Sequence, residues 1–284
     1  MTPTLVRQHV SSTGSAPWAD PRARARDWSE IQERMLVPLH EAVYERLEVG
    51  AGTRLLALGC GSGLALLTAA ARGAAVTGAG PSCPERLALA RRRLLTRTSG
   101  APARATVRIV DGPLTDLLGE KTPDGVPGPP YDLITAFDPV GCLPGDGEQL
   151  SELLSAAAPL AERGAAVVLA GWGPPERCAT SSVLRAVGGP EAARPATRDG
   201  LEDVARRAGL RPAGSGRVAC PFGYAGLDSA VRGMLSTGLF DAAVETGDAD
   251  QVAKELAEAL HAHQRPDGTV WMPNVFRYLI ALTP

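Results

Sequence analysis

Residues 54–80 begin with the apolar run Arg54-Leu55-Leu56-Ala57-Leu58 and continue into Gly59-Cys60-Gly61-Ser62-Gly63. A stretch of Leu and Ala follows, ended by Gly73, and then Ala75-Val76-Thr77-Gly78-Ala79-Gly80. A continuous apolar run entering a glycine turn predicts a strand buried on both faces that feeds the start of a helix. Gly73 is placed to cap that helix. The second apolar run then makes a strand–helix–strand crossover, the unit from which parallel sheets are built. The segment therefore constrains the chain to an open sheet with helices packed on it.

The alternation continues downstream. Residues 106–110, 131–137, 165–170, 217–221 and 275–281 read as strands, and 150–160 and 201–208 as helices, the last capped by Gly209. Ser82-Cys83-Pro84-Glu85 has the spacing of a capping box, and 118–130, dense in Gly and Pro, reads as loop. Between residues 227 and 263 lies a helical insertion. Its apolar positions Val231, Leu235, Leu239, Val252, Leu256 and Leu260 suit a substrate lid or a homodimer surface. Upstream, Trp28, Ile31, Met35, Leu39, Val43 and Leu47 recur at helical steps over 22–47, with a bend expected at Pro38. The fold class expected is α/β: a doubly wound, Rossmann-like, seven-stranded and mostly parallel sheet with helices on both faces. A helical cap over 22–50 precedes it. Residues 1–21, polar and Pro-punctuated, read as a flexible arm before one domain over 22–284.

With 284 residues, 44% of them hydrophobic, the chain can bury a sizeable core. A net charge of −2 gives no footprint for nucleic acid or an anionic membrane, and the expected partner is a small molecule. No apolar run approaches the roughly 18 residues of a membrane span, and the chain reads as cytoplasmic. Cys60, Cys83, Cys142, Cys178 and Cys220 are odd in number and lack C-x-x-C spacing, which argues against a disulfide framework or a zinc site, and no metal is expected.

Gly59, Gly61 and Gly63 let the backbone turn tightly and approach a ligand, and the amides opening the next helix form an anion site. The third glycine of a G-x-G-x-x-G fingerprint would fall on Leu64, against a dinucleotide oxidoreductase. Residues 55–63, with Val76-Thr77-Gly78 and the helix over 82–91, resemble class I S-adenosylmethionine-dependent methyltransferases of the bacterial small-molecule type. Residues 131–137 look like that family's fourth-strand motif, and 160–164 like its turn before the fifth strand. Trp172-Gly173-Pro174-Pro175-Glu176 and Asn274-Val275-Phe276-Arg277-Tyr278 are similar to a bacterial subgroup. The resemblance implies S-adenosylmethionine as cofactor, its methionine carboxylate facing the helix amides. It implies contacts from Gly59, Cys60, Gly61, Gly63, Gly80, Asp111, Gly112, Phe137 and Asp138. In this reading Asp111 lies near the adenine amino group, and Asp138 near the methionine amine or a substrate. Trp28 and Trp172 are candidate walls of a substrate pocket.

One departure cuts across the motif. No Asp or Glu occurs between Glu48 and Glu85, so the acids the family carries at the positions of Ala57 and Gly80 are missing. A hydrogen bond to a charged group contributes about 1.5–3 kcal/mol, so each loss weakens binding about ten- to a hundredfold. Two functions follow from these residues. One is S-adenosylmethionine-dependent methyl transfer to a small metabolite. The alternative is a catalytically inactive, methyltransferase-like pseudoenzyme that binds a protein partner or another ligand. No Ser-His-Asp or Cys-His arrangement is visible, and the catalytic residues are unassigned at this level.

Overall fold

Seven strands form one sheet in the order β3-β2-β1-β4-β5-β9-β6 in a computed structural model that describes residues 20–80, 83–98, 107–118, 130–192 and 200–284. The strands are β1 (Arg54–Leu58), β2 (Ala75–Ala79), β3 (Val107–Ile109), β4 (Tyr131–Val140), β5 (Ala161–Trp172), β6 (Arg211–Ala219) and β9 (Val275–Leu282). Only β9 is reversed, lying antiparallel to both β5 and β6. Alternate residues of β1 feed opposite faces. Leu55 and Ala57 join one core with α2 (Val37–Arg46), α3 (Leu64–Ala71) and α4 (Pro84–Thr98). Leu56 and Leu58 join another with α5 (Asp146–Ala157) and α7 (Gly200–Arg207). Helices therefore cover both faces, and the expected doubly wound fold is the one formed.

Chain order reverses between β1 and β4, where Leu58 pairs with Ala136. This places Gly59 beside Phe137 and Asp138 at the carboxyl ends of the two strands, the crevice where open α/β sheets take ligands.

Several elements differ from expectation. Pro38 makes no bend; it sits in the first turn of α2, where the ring costs no hydrogen bond. The break comes earlier, as α1 (Pro21–Asp27) passes through a π turn at Trp28–Gln32 and a 3-10 turn at Glu33–Leu36. β6 starts at Arg211 instead of 217; it is an edge strand, so Pro212 is tolerated, with a register shift after it. The helix α6 (Ala179–Ala192) and the two-stranded sheet of β7 (Phe222–Tyr224) and β8 (Val270–Met272) were not anticipated. The insertion comprises α8 (Leu227–Leu235), α9 (Asp241–Thr246) and α10 (Ala249–His261). The arm up to residue 19, Ser82, Thr106 and most of the loop over 118–130 lie outside the described residues. Among the described residues no helix is long and apolar enough to cross a membrane.

Leu154 of α5 is 1% exposed in the second core. Leu154→Ala is expected to cost about 3 kcal/mol, read from the urea midpoint, because the cavity left behind cannot fully collapse.

Candidate functional site

Three glycines of the turn adopt left-handed backbone, Gly59 at φ 68°, Gly61 at 54° and Gly63 at 85°. The amides that follow converge on a carboxylate, and it belongs to the chain itself. Glu33 Oε1 accepts from Ser62 N–H at 2.8 Å and from Leu64 N–H at 3.4 Å. Glu33 Oε2 accepts from the Ser62 hydroxyl and from Arg93 at 2.6 Å. Arg93 also holds Ser29 Oγ at 2.7 Å. Glu33 is 4% exposed, so its charge is sustained by these donors at a helix N-terminus.

The π turn explains how Glu33 reaches this position. The Glu33 amide donates to the Trp28 carbonyl five residues back, so the two side chains come to one side of the cap. Both press on Gly61: a Cβ there would meet Glu33 Oε1 at 2.8 Å and Trp28 Nε1 at 3.3 Å. The cap is tied in turn to the insertion. Tyr224 donates to Gln32 at 2.9 Å, Arg24 pairs with Asp241 at 2.7 Å, and Arg232 makes a two-pronged contact with Asp27.

Two cavities meet at the turn. The smaller, about 20 Å³, is lined by Glu33, His40, Ala57, Gly61, Thr135 and Phe137. It has room for about one water-sized group. Trp28 Nε1, His40 Nδ1 and Thr135 Oγ1, all from residues lining it, are buried without partners. Burial pulls the His40 imidazole down to about 3, so it is neutral at physiological pH. The larger cavity, about 330 Å³, has Trp28, Trp172, Phe222 and Phe276 among its walls. The Trp172 and Phe276 rings meet at a tilt of 46° with centroids 4.6 Å apart, and Arg86 lies over the Trp28 ring at 4.2 Å while donating to Ser236 O at 2.6 Å.

Asp138 borders both cavities. Asp138 keeps an exposed side toward solvent; the protein packed around the rest of its carboxyl pushes its pKa up to about 6 against the opposing pull of the Arg86 charge, a shift that the solvent on its open side moderates. Oδ2 lies 2.7 Å from where a Gly59 Cβ would stand, so only glycine fits at 59.

Of the residues anticipated from sequence, Gly59, Cys60, Gly61, Phe137 and Asp138 line the small cavity, and Trp28 lines both cavities. Trp172 lines the large one. Gly63 packs on Ala90 of α4, and Gly80, at φ 97°, closes the end of β2. Asp111 and Gly112 line neither of these two cavities. Asp111 is exposed and pairs with Arg91 at 3.3 Å, and Gly112 packs on Asp116. Glu85 accepts from the Cys83 thiol at 3.0 Å in the first turn of α4. Glu33, His40, Arg86 and Arg93 escaped sequence reading. The spacing of Trp28 and Glu33 fits no helical face, and only a π turn unites them.

No family model matches the sequence, and no curated protein matches it. Among solved structures, the YjhP protein of Escherichia coli is similar at 20% identity, with 92% of this chain and 99% of that one covered and a TM-score of 0.52. A candidate methyltransferase from Bacillus halodurans is similar at 13% identity, with 86% and 98% covered and a TM-score of 0.50. An S-adenosylmethionine-dependent methyltransferase from Thiobacillus denitrificans, solved with S-adenosylhomocysteine, shares 19% identity over 88% and 92%, with a TM-score of 0.48. The chain has the class I methyltransferase fold. At these identities the first two likenesses speak to that fold alone.

Two variants test the site's electrostatics. Glu33→Ala is expected to lower stability by about 2–3 kcal/mol in urea unfolding, because Arg93 and the turn amides lose a charged partner. A wild-type midpoint would rule the contact out. Asp138 has a folded pKa above its ordinary 3.8, so its contribution to stability is full below that value and lost as pH rises through about 6. The melting temperature of Asp138→Asn relative to wild type should accordingly rise between pH 4 and 7 and level off above.

Proposed function

We propose that this protein transfers a methyl group from S-adenosylmethionine to a small metabolite. The observation that carries the reading is that the glycine turn already binds a carboxylate, with a cavity of about 330 Å³ adjoining it across Asp138 and Gly59. Glu33 there stands in for the carboxylate of an amino-acid ligand. The Ser62 and Leu64 amides have the geometry such a group needs, and the three unpartnered polar atoms around the small cavity are further donors and acceptors. With Glu33 in place the turn is full, so binding requires the cap residues Trp28 and Glu33 to withdraw together. When bound, the cofactor supplies an electrophilic methyl group on a sulfonium. The chain's own residues position the acceptor beside the turn, and the aromatic walls exclude water from it.

A second reading is a methyltransferase-like protein that binds another ligand or a partner without transferring methyl. The missing acids at Ala57 and Gly80, together with the filled turn, favour it. Calorimetric titration with S-adenosylmethionine and S-adenosylhomocysteine separates the two. Micromolar binding is expected, and tighter binding by Glu33→Ala, in which the internal competitor is gone. No binding at millimolar concentration would sink the first reading. In that case Ala57→Asp with Gly80→Asp, made together with Glu33→Ala so that two carboxylates do not share the small cavity, should create the affinity. Gly80 has room for a side chain, its nearest neighbour standing 3.6 Å from an added Cβ, although its φ of 97° strains any residue but glycine.

A further inference from the structure

Methyl transfer to oxygen needs a group that takes the acceptor's proton, and the junction of the two cavities has few candidates. Glu33 is saturated by two amides, a hydroxyl and Arg93. Asp146, in the wall of the large cavity, accepts from three amides, those of Gly141, Cys142 and Leu143. His40 borders only the small cavity and is held neutral by burial. Asp138 alone among ionisable residues borders both cavities, and no described residue donates a hydrogen bond to it.

We propose that Asp138 is the general base for an apolar, ring-bearing hydroxyl acceptor held in the larger cavity. This rests on the donor reading above. The acceptor class follows from the walls. Trp28, Trp172, Phe222 and Phe276 favour a ring, and a cavity of about 330 Å³ is small for a ligand site, which ordinarily measures about 300–1,000 Å³. Arg86 already supplies a cation on Trp28 close to Asp138, so a cationic ammonium acceptor is repelled, whereas an oxygen gaining negative character is favoured. Trp172, its Nε1 unpartnered, stands in the same wall. In the transfer the hydroxyl O–H bond breaks and its proton passes to an Asp138 oxygen. The acceptor oxygen forms the new bond to the methyl carbon while the S–CH3 bond breaks, its electron pair remaining on sulfur as a neutral thioether.

The charges facing Asp138 are Arg86 from α4 and Glu33 from the cap, with Asp146 at the start of α5 and neutral His40 on α2 lining the adjoining cavity walls. With the carboxyl raised to about 6, the base is ionised at neutral pH and still able to receive a proton.

The test uses 2-naphthol, two fused rings with one hydroxyl, as probe. In equilibrium dialysis without cofactor, binding to the wild type is expected to tighten from pH 5 to 7 with a midpoint near 6, and Asp138→Asn to bind without that dependence. With S-adenosylmethionine present, Asp138→Asn should lose about 100-fold or more in kcat for 2-naphthol methylation. The rate is read at saturating S-adenosylmethionine, with the affinity for S-adenosylhomocysteine measured beside it, and Asp138→Glu should recover part of that rate. If S-adenosylhomocysteine binds but 2-naphthol does not, or binds with the same pH profile in Asp138→Asn, the proposal is overturned and the donor reading stands. Methylation undiminished in Asp138→Asn overturns it equally. If 2-naphthol behaves as expected while no variant binds S-adenosylhomocysteine, the donor reading and the base role fall together.

Discussion

A carboxylate taken out of water is stable only where its oxygens find donors, and Glu33 finds four, on Ser62, Leu64 and Arg93. Three of these belong to the glycine turn and the start of α3. The contact therefore fixes the cap to the sheet at the crevice itself, and not at some remote surface. Trp28, carried by the same π turn, is held over Gly61 and lines both cavities.

The cap does not move alone. Gln32, Asp27 and Arg24 are bound to Tyr224, Arg232 and Asp241 of the hairpin and insertion. Arg86 joins α4 to both units, lying on Trp28 and donating to Ser236. Withdrawal of Glu33 from the turn therefore draws on contacts well beyond it. A ligand that supplies its own carboxylate to the turn replaces the largest of these interactions, so filling the turn and reshaping the adjoining cavity are coupled steps.

The fold was legible because its signals are local. Apolar runs on β1, β2, β4 and β5 follow from burial on both faces, and the glycine turn follows from backbone that only glycine adopts cheaply. β6 was half missed because an edge strand of Arg, Pro, Gly and Ser has little apolar character to read. α6 was missed because Gly188-Gly189-Pro190 looks like punctuation within it. Of the residues lining the cavities, Gly59, Gly61, Phe137 and Asp138 were readable from their place after strands. Glu33, Arg86 and Arg93 were not, since each acts across long chain separations and none belongs to a motif. The π turn has no periodicity of its own to announce it.

The absent acid at Ala57 becomes intelligible in this setting. Ala57 and Glu33 line the same cavity of about 20 Å³, closed in by Trp28, His40 and Phe137. A carboxylate at position 57 would face that of Glu33 across a space the size of one water, with no counter-charge between them, since His40 is neutral there. Two like charges so confined cannot both ionise cheaply. An acid on β1 and a glutamate docked on the turn are therefore alternatives, and this chain carries the glutamate. The carboxylate that meets the turn in this chain is carried by the cap, on Glu33, and not by β1.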